Sequence, residues 1–261
     1  MRKNHFICET ILFMVLIIFL FMLDCGYAAV TKVTIRAKSH DAKFIATSIG
    51  GVKIVVKDAF SGRILDEGMV EGSTGNTKVQ MIEPLKRGAR LADENTAKFV
   101  AQLDIEQPTK IIIEAAGPFS AGNNFQYYRK TMWVLPGHDI GGDGIIFEIY
   151  GLLVYPTAPA PHQFFKPGNQ VDIVARVDMM CGCPLKPGGL WDANDVVVKA
   201  VIYNGKREKV AEIPLRWIKT STFRGNFMPS SPGVYKVVVT AAYDQDNNYG
   251  VGYTSFQVLK K

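Results

Sequence analysis

Apolar and polar residues alternate along residues 30–37 (VTKVTIRA), the period of two that turns one face of a β-strand toward a core and the other toward water. The same signature, or a short β-branched run, returns at 52–56, 64–70, 111–115 and 145–149. Beyond Pro167-Gly168 it sharpens into 171–177, 196–203, 210–215, 223–228, 234–242 and 253–259. Turn residues separate these runs. Ser61-Gly62 marks one turn, and Asn204-Gly205, two residues that both tolerate positive φ, predicts a tight hairpin. Helical periodicity is confined to residues 91–99 (LADENTAKF), where the pattern predicts a helix. Many short strands punctuated by glycine and proline predict an all-β fold of two tandem β-sandwiches, not a parallel α/β sheet.

The first 29 residues follow a different rule. Arg2 and Lys3 begin the chain with positive charge, and residues 11–23 (ILFMVLIIFLFML) are an unbroken apolar run of 13. Gly26-Tyr27-Ala28 and Tyr27-Ala28-Ala29 then place small residues where a signal peptidase reads them. This predicts an export signal cleaved near Ala28 or Ala29. A membrane-spanning helix needs about 20 apolar residues, and Asp24 ends this run short of that. Leu23-Asp24-Cys25-Gly26 resembles a bacterial lipobox, but with Asp24 where such a box takes a small residue. No second apolar run of membrane length follows. The mature protein is therefore expected to be periplasmic or extracellular, meeting the membrane only through the signal before cleavage. Residues 155–161 (YPTAPAP) have the composition of a stiff connector. The expected division is a signal peptide at 1–29, a first sandwich at 30–154, a linker at 155–161 and a second sandwich at 162–261.

Composition narrows the partners. With 261 residues, 48% hydrophobic and 21% charged, the chain can build a real core, which excludes disorder for most of it. The formal charge of +6 is mild, and the 30 lysines and arginines are scattered without a block of five, so no nucleic-acid partner is expected.

The second half resembles bacterial Ig-like or fibronectin-like domains. The resemblance rests on Phe223-Arg224-Gly225-Asn226-Phe227 leading to Ser231-Pro232-Gly233-Val234-Tyr235, then Val237-Val238-Val239-Thr240-Ala241, a polar hairpin at 244–248 with Gly250, and Thr254-Ser255-Phe256-Gln257-Val258. It covers about the final 40 residues and implies a fold, an architecture that serves adhesins, enzyme accessory modules and binding domains alike. The first half is similar to transthyretin-like or carboxypeptidase-regulatory-like sandwiches through residues 51–59 (GVKIVVKDA) and 61–68 (SGRILDEG). Residues 74–99 depart from that pattern with a basic insertion.

One cluster carries candidate chemistry. Cys8 and Cys25 leave with the signal, so the mature chain keeps Cys181 and Cys183, in Met179-Met180-Cys181-Gly182-Cys183-Pro184. Thiolates and thioethers are soft ligands suited to Cu(I), which makes Met179, Met180, Cys181 and Cys183 candidate copper ligands. Strand alternation puts Met179, Cys181 and Cys183 on one side and Met180 on the other unless a turn intervenes. The same two cysteines in an oxidising compartment can instead form a small-loop disulfide, structural or redox-active. The mature histidines, His40, His138 and His162, show no ligand spacing, although His162 follows the connector. Asp244-x-Asp246-x-Asn248-x-Gly250 matches the start of a calcium loop, but the twelfth position is Ser255, not Glu, and such residues suit an ordinary turn. Asp192, Asn194 and Asp195 read as a second polar turn, and Gly141-Gly142-Asp143-Gly144 as a flexible one. Asn123, Asn124, Phe125, Tyr127, Tyr128 and Trp133 form an aromatic, polar strip suited to a sugar or peptide, or to a sandwich rim.

No catalytic motif stands out. The expectation is an exported, non-enzymatic envelope binding or accessory protein without a cofactor, contacting another envelope protein. The alternative is a periplasmic copper-binding protein using residues 179–183.

Overall fold

The alternation at residues 30–37 becomes β1 (Thr31–Ser39), whose Val33, Ile35 and Ala37 turn inward and are fully buried. The computed structural model describes residues 30–260, so the expected export signal, with Cys8 and Cys25, lies outside the described residues. Six more strands complete the first sandwich: β2 (Val52–Asp58), β3 (Ile64–Val70), β4 (Phe99–Leu103), β5 (Thr109–Gly117), β6 (Gln126–Val134) and β7 (Ile140–Ile149). They form a three-stranded sheet β4-β1-β7 and a four-stranded sheet β3-β2-β5-β6. Only the β1–β7 pairing is parallel. Ile54, Val56, Ile111, Ile113 and Phe147 fill the space between the sheets, each such side chain contributing about 1.5–3 kcal/mol by leaving water.

The second sandwich comprises β8 (Leu152–Ala158), β9 (Gln163–Phe165), β10 (Val171–Met179), β11 (Val197–Asn204), β12 (Lys209–Lys219), β13 (Thr222–Phe227), β14 (Gly233–Tyr243) and β15 (Asn248–Val258). Their order is β8-β10-β13-β12-β11-β14-β15-β9. The long β12 folds this sheet onto itself: its first part pairs with β11 through Leu215, and its last part, from Arg216, pairs with β13. β15 then closes against β8. Gly252 permits this approach, because a Cβ there would lie 2.6 Å from the Val154 carbonyl oxygen. Among the described residues, no helix is long and apolar enough to cross a membrane.

Four local expectations are corrected. Residues 91–98 are not helical. The carboxylate of Asp93 accepts from the Asn95 amide and the Thr96 hydroxyl, while the Leu91 and Ala92 amides are taken by Asp143 from β7. The helix in this insertion is instead the single turn α1 (Thr77–Met81), capped by the Asn76 side chain. Residues 155–158 are not a connector but the outer half of β8, hydrogen-bonded to β10. Pro156 is tolerated because β8 ends the sheet order. The hairpin after β11 takes its positive φ at Arg207, with the Asn204 side chain accepting from the Lys206 and Glu208 amides, so it is longer than a two-residue turn. Residues 141–144 lie inside β7, not in a flexible turn. Gly144, at φ +67°, lets the strand pass the Thr34 backbone where any Cβ would collide.

Candidate functional site

Residues 179–183 form a tight turn at the end of β10. The Met179 amide donates to the Cys183 carbonyl at 3.0 Å, the Gly182 amide donates to the Met179 carbonyl at 2.7 Å, and Gly182 sits at φ +77°. Cys181 and Cys183 are joined in a disulfide. Met179, Cys181 and Cys183 belong to the core of the second sandwich, whereas Met180 inserts into that of the first. The four candidate ligands therefore do not converge, and the joined sulfurs offer no thiolate to a soft metal. Among the described residues, no three His, Cys, Asp or Glu side chains are grouped to hold an ion. His162 lies beside Ser255, toward the other end of the sandwich from this turn. The turn works as packing between the two units: a Cβ on Gly182 would lie 2.7 Å from Ile49 Cγ2.

The junction around it is a polar joint. Asn248, fully buried, accepts from the Gly151 amide at 2.7 Å and donates to the His40 carbonyl at 3.3 Å. Asn124 grips β15 in both directions, donating to the Val251 carbonyl at 3.1 Å and accepting from its amide at 2.9 Å. The Trp191 indole N–H donates to the Asp41 carbonyl at 2.9 Å, and the Tyr155 hydroxyl donates to the Ser120 carbonyl at 2.8 Å. The calcium-like sequence at 244–250 thus folds as a short 3-10 turn whose Asn248 is committed to the joint. Asp192 accepts from the Gly188 and Asn194 amides, an ordinary turn. Asp246 is pushed above the usual carboxylate range by burial and by Asp41 across the joint.

The aromatic strip is split by strand alternation. Tyr128 turns inward, its hydroxyl donating to Gln126 Oε1 and accepting from the Tyr150 amide. Tyr127 and Trp133 face water at 59% and 55% exposure on β6, which has a partner on only one side. Phe60, 78% exposed, brings its ring 6.3 Å from that of Trp133. Sequence reading missed Phe60; the available signal was a large aromatic placed in the polar turn Asp58 to Gly62, where burial has nothing to offer it. Behind the same loop opens a cleft of about 600 Å³ bordered by Asp58, Arg63, Asp104 and Glu106. Asp58 is held below the usual carboxylate range by hydrogen bonds from the Ser61 amide and hydroxyl. On the neighbouring strands Lys57 pairs with Glu114 at 2.7 Å, keeping that carboxyl below its ordinary value. The result is a rigid sheet face with aromatic anchors and a charged surround, a composition suited to contact with another molecule.

No family model matches the chain, and no curated protein matches it. Among solved structures it is similar to the fibronectin(III)-like modules of Clostridium thermocellum CbhA, at 11% identity over 91% of this chain and 92% of that one, with a TM-score of 0.29. It is also similar to titin domains z1z2 in complex with telethonin, at 9% identity over 89% and 95%, with a TM-score of 0.27. A third likeness, to an engineered protein, has 14% identity, covers 44% of this chain and 21% of that one, and has a TM-score of 0.32. Several of the neighbours are Ig-like or fibronectin III-like domains, and the β-sandwich architecture described above stands on the strand pairing itself.

Proposed function

We propose that the mature chain is an exported, non-enzymatic binding or accessory protein of the cell envelope, in which two joined sandwiches hold one aromatic contact surface. A single observation carries this reading: Phe60, Trp133 and Tyr127 stand in water on a rigid strand and its neighbouring loop. Large rings left exposed cost solvation, and that cost is recovered when a partner covers them. The partner is another envelope protein, whose apolar groups would cover Trp133 and Phe60 while polar groups meet the Lys57 and Glu114 surround. The test is retention of envelope proteins on the immobilised mature chain, compared with a Phe60→Ala/Trp133→Ala variant. A protein retained by the parent and lost from the variant is the expected result. Identical retention by both would refute the assignment of this surface.

A further inference from the structure

A second site lies on the other face of the first sandwich, where residues 90–98 fold over β1. Arg36, in the middle of β1, is only 3% exposed. Its Nη1 donates to the Ala97 carbonyl at 2.9 Å and to the Thr96 carbonyl, and its guanidinium lies 5.8 Å from the centre of the Phe44 ring. These contacts pin the insertion over the sheet, yet carbonyls and a ring do not neutralise a cation. Among the described residues no carboxylate lies within ion-pair distance of Arg36, and its buried Nε has no hydrogen-bond partner. Burying a guanidinium without a counter-charge is costly, and a buried N–H without an acceptor adds to that cost.

The nearest acids offset that charge only in part, through space and without an ion pair. Asp143 is occupied by the Leu91 and Ala92 amides, both at 2.9 Å, and Asp93 by the Thr96 hydroxyl at 2.7 Å and the Asn95 amide at 3.1 Å. Burial pushes the Arg36 pKa down from its ordinary value, and Asp143 and Asp93 pull it back up only through space. A cleft of about 230 Å³ opens beside this group. Two further cations, Arg90 and Lys98, line it together with the acids Asp93 and Glu94.

We infer that this cleft is a binding site for a small oxyanion of the phosphate class, with Arg36 as the recessed anchor and Arg90 and Lys98 closing over the ligand. Nη1 is spent on the Thr96 and Ala97 carbonyls while Nε–H keeps no partner, and a planar N–H edge matches two oxygens of a tetrahedral anion. The volume suits a single ionic group and is below the range of about 300–1,000 Å³ typical of drug-sized ligands.

Titration of the mature protein with inorganic phosphate, followed by calorimetry and by the Arg36 Nε–H resonance, tests this. Saturable one-to-one binding that shifts that resonance is expected. An Arg90→Ala/Lys98→Ala variant, altered only at the mouth of the cleft, should bind about tenfold more weakly, a loss of about 1.4 kcal/mol. A Lys206→Ala/Arg207→Ala control, which removes the same charge from an exposed hairpin, should bind as the parent does. Glycerol 1-phosphate in a parallel titration separates the sources: equal affinity assigns the free ion and tighter binding a phosphate ester, and either supports the site. Absence of saturable binding, an unmoved Nε–H, or equal loss in the control overturns it.

Discussion

Where the first sandwich meets the second, polar side chains are buried and bonded, whereas at its far end large apolar rings stand in water. Asn124 and Asn248 sit inside the joint with both ends of their amides engaged, while Phe60 and Trp133 stand largely in water with their rings 6.3 Å apart. The contrast inverts the usual partition of residue types, and each inversion has its own reason. Buried amides with matched partners fix one geometry between the two units, since any other docking leaves them unsatisfied. Exposed rings gain nothing until something covers them. One end therefore serves the chain's own shape, and the other is available to a different molecule.

The largest expected effect comes from breaking the joint. Asn248→Leu keeps the branched shape but orphans the Gly151 amide and the His40 carbonyl, at about 1–3 kcal/mol for each buried group. Urea denaturation should show a loss of roughly 3 kcal/mol, and a single unfolding transition should separate into two as the units uncouple. Next comes the turn at 181–183. Its closed loop is very short, so Cys181→Ala/Cys183→Ala should cost only about 2 kcal/mol of chain-entropy stabilisation, measured by the same denaturation, with retention of partners unchanged.

A smaller effect tests the charged surround. Glu114 titrates below its ordinary value because Lys57 donates to it, so its contribution is present above the unfolded carboxylate pKa of about 4.3 and is lost as pH falls through the lower folded value. Glu114→Gln should therefore be less stable than the parent by about 0.2–1 kcal/mol near neutrality, as for partly exposed pairs. The two stability curves should meet in acid. Smallest of all is the stability effect of Phe60→Ala/Trp133→Ala, expected within about 0.5 kcal/mol of the parent because these rings support no core. A large loss of stability there would make the rings structural and erase the contrast between the two ends.

The architecture was legible wherever one face of a strand meets the core alone. Residues 64–70 gave β3 at its observed limits, and 111–115 gave the centre of β5, which runs two residues further at each end. β6 (QYYRKTMWV) escaped because aromatic residues occupy both of its faces, Tyr128 inward and Tyr127 outward, so no alternation of apolar and polar survives. The false helix at 91–99 has a long-range cause: Asp143, some 50 residues away, removes the Leu91 and Ala92 amides that a helix start would have left free. At the joint, Asn248 carried the residue type of a turn or a cation ligand, and only the arrival of Gly151 and His40 gives it another role. The cysteine pair was readable as a pair, but its placement between two cores depends on Met180 crossing to the first, which no local spacing encodes.

The most direct test places a photo-crosslinking amino acid at Thr131, exposed on the same face of β6 as Trp133, and another at Val197, which is exposed on the second sandwich, and irradiates intact cells. A discrete adduct with one envelope protein is expected from position 131, and none of that mass from position 197. Equal crosslinking from both positions, or none from 131 in cells whose fractionation shows the chain in the envelope, would contradict the assignment of this surface.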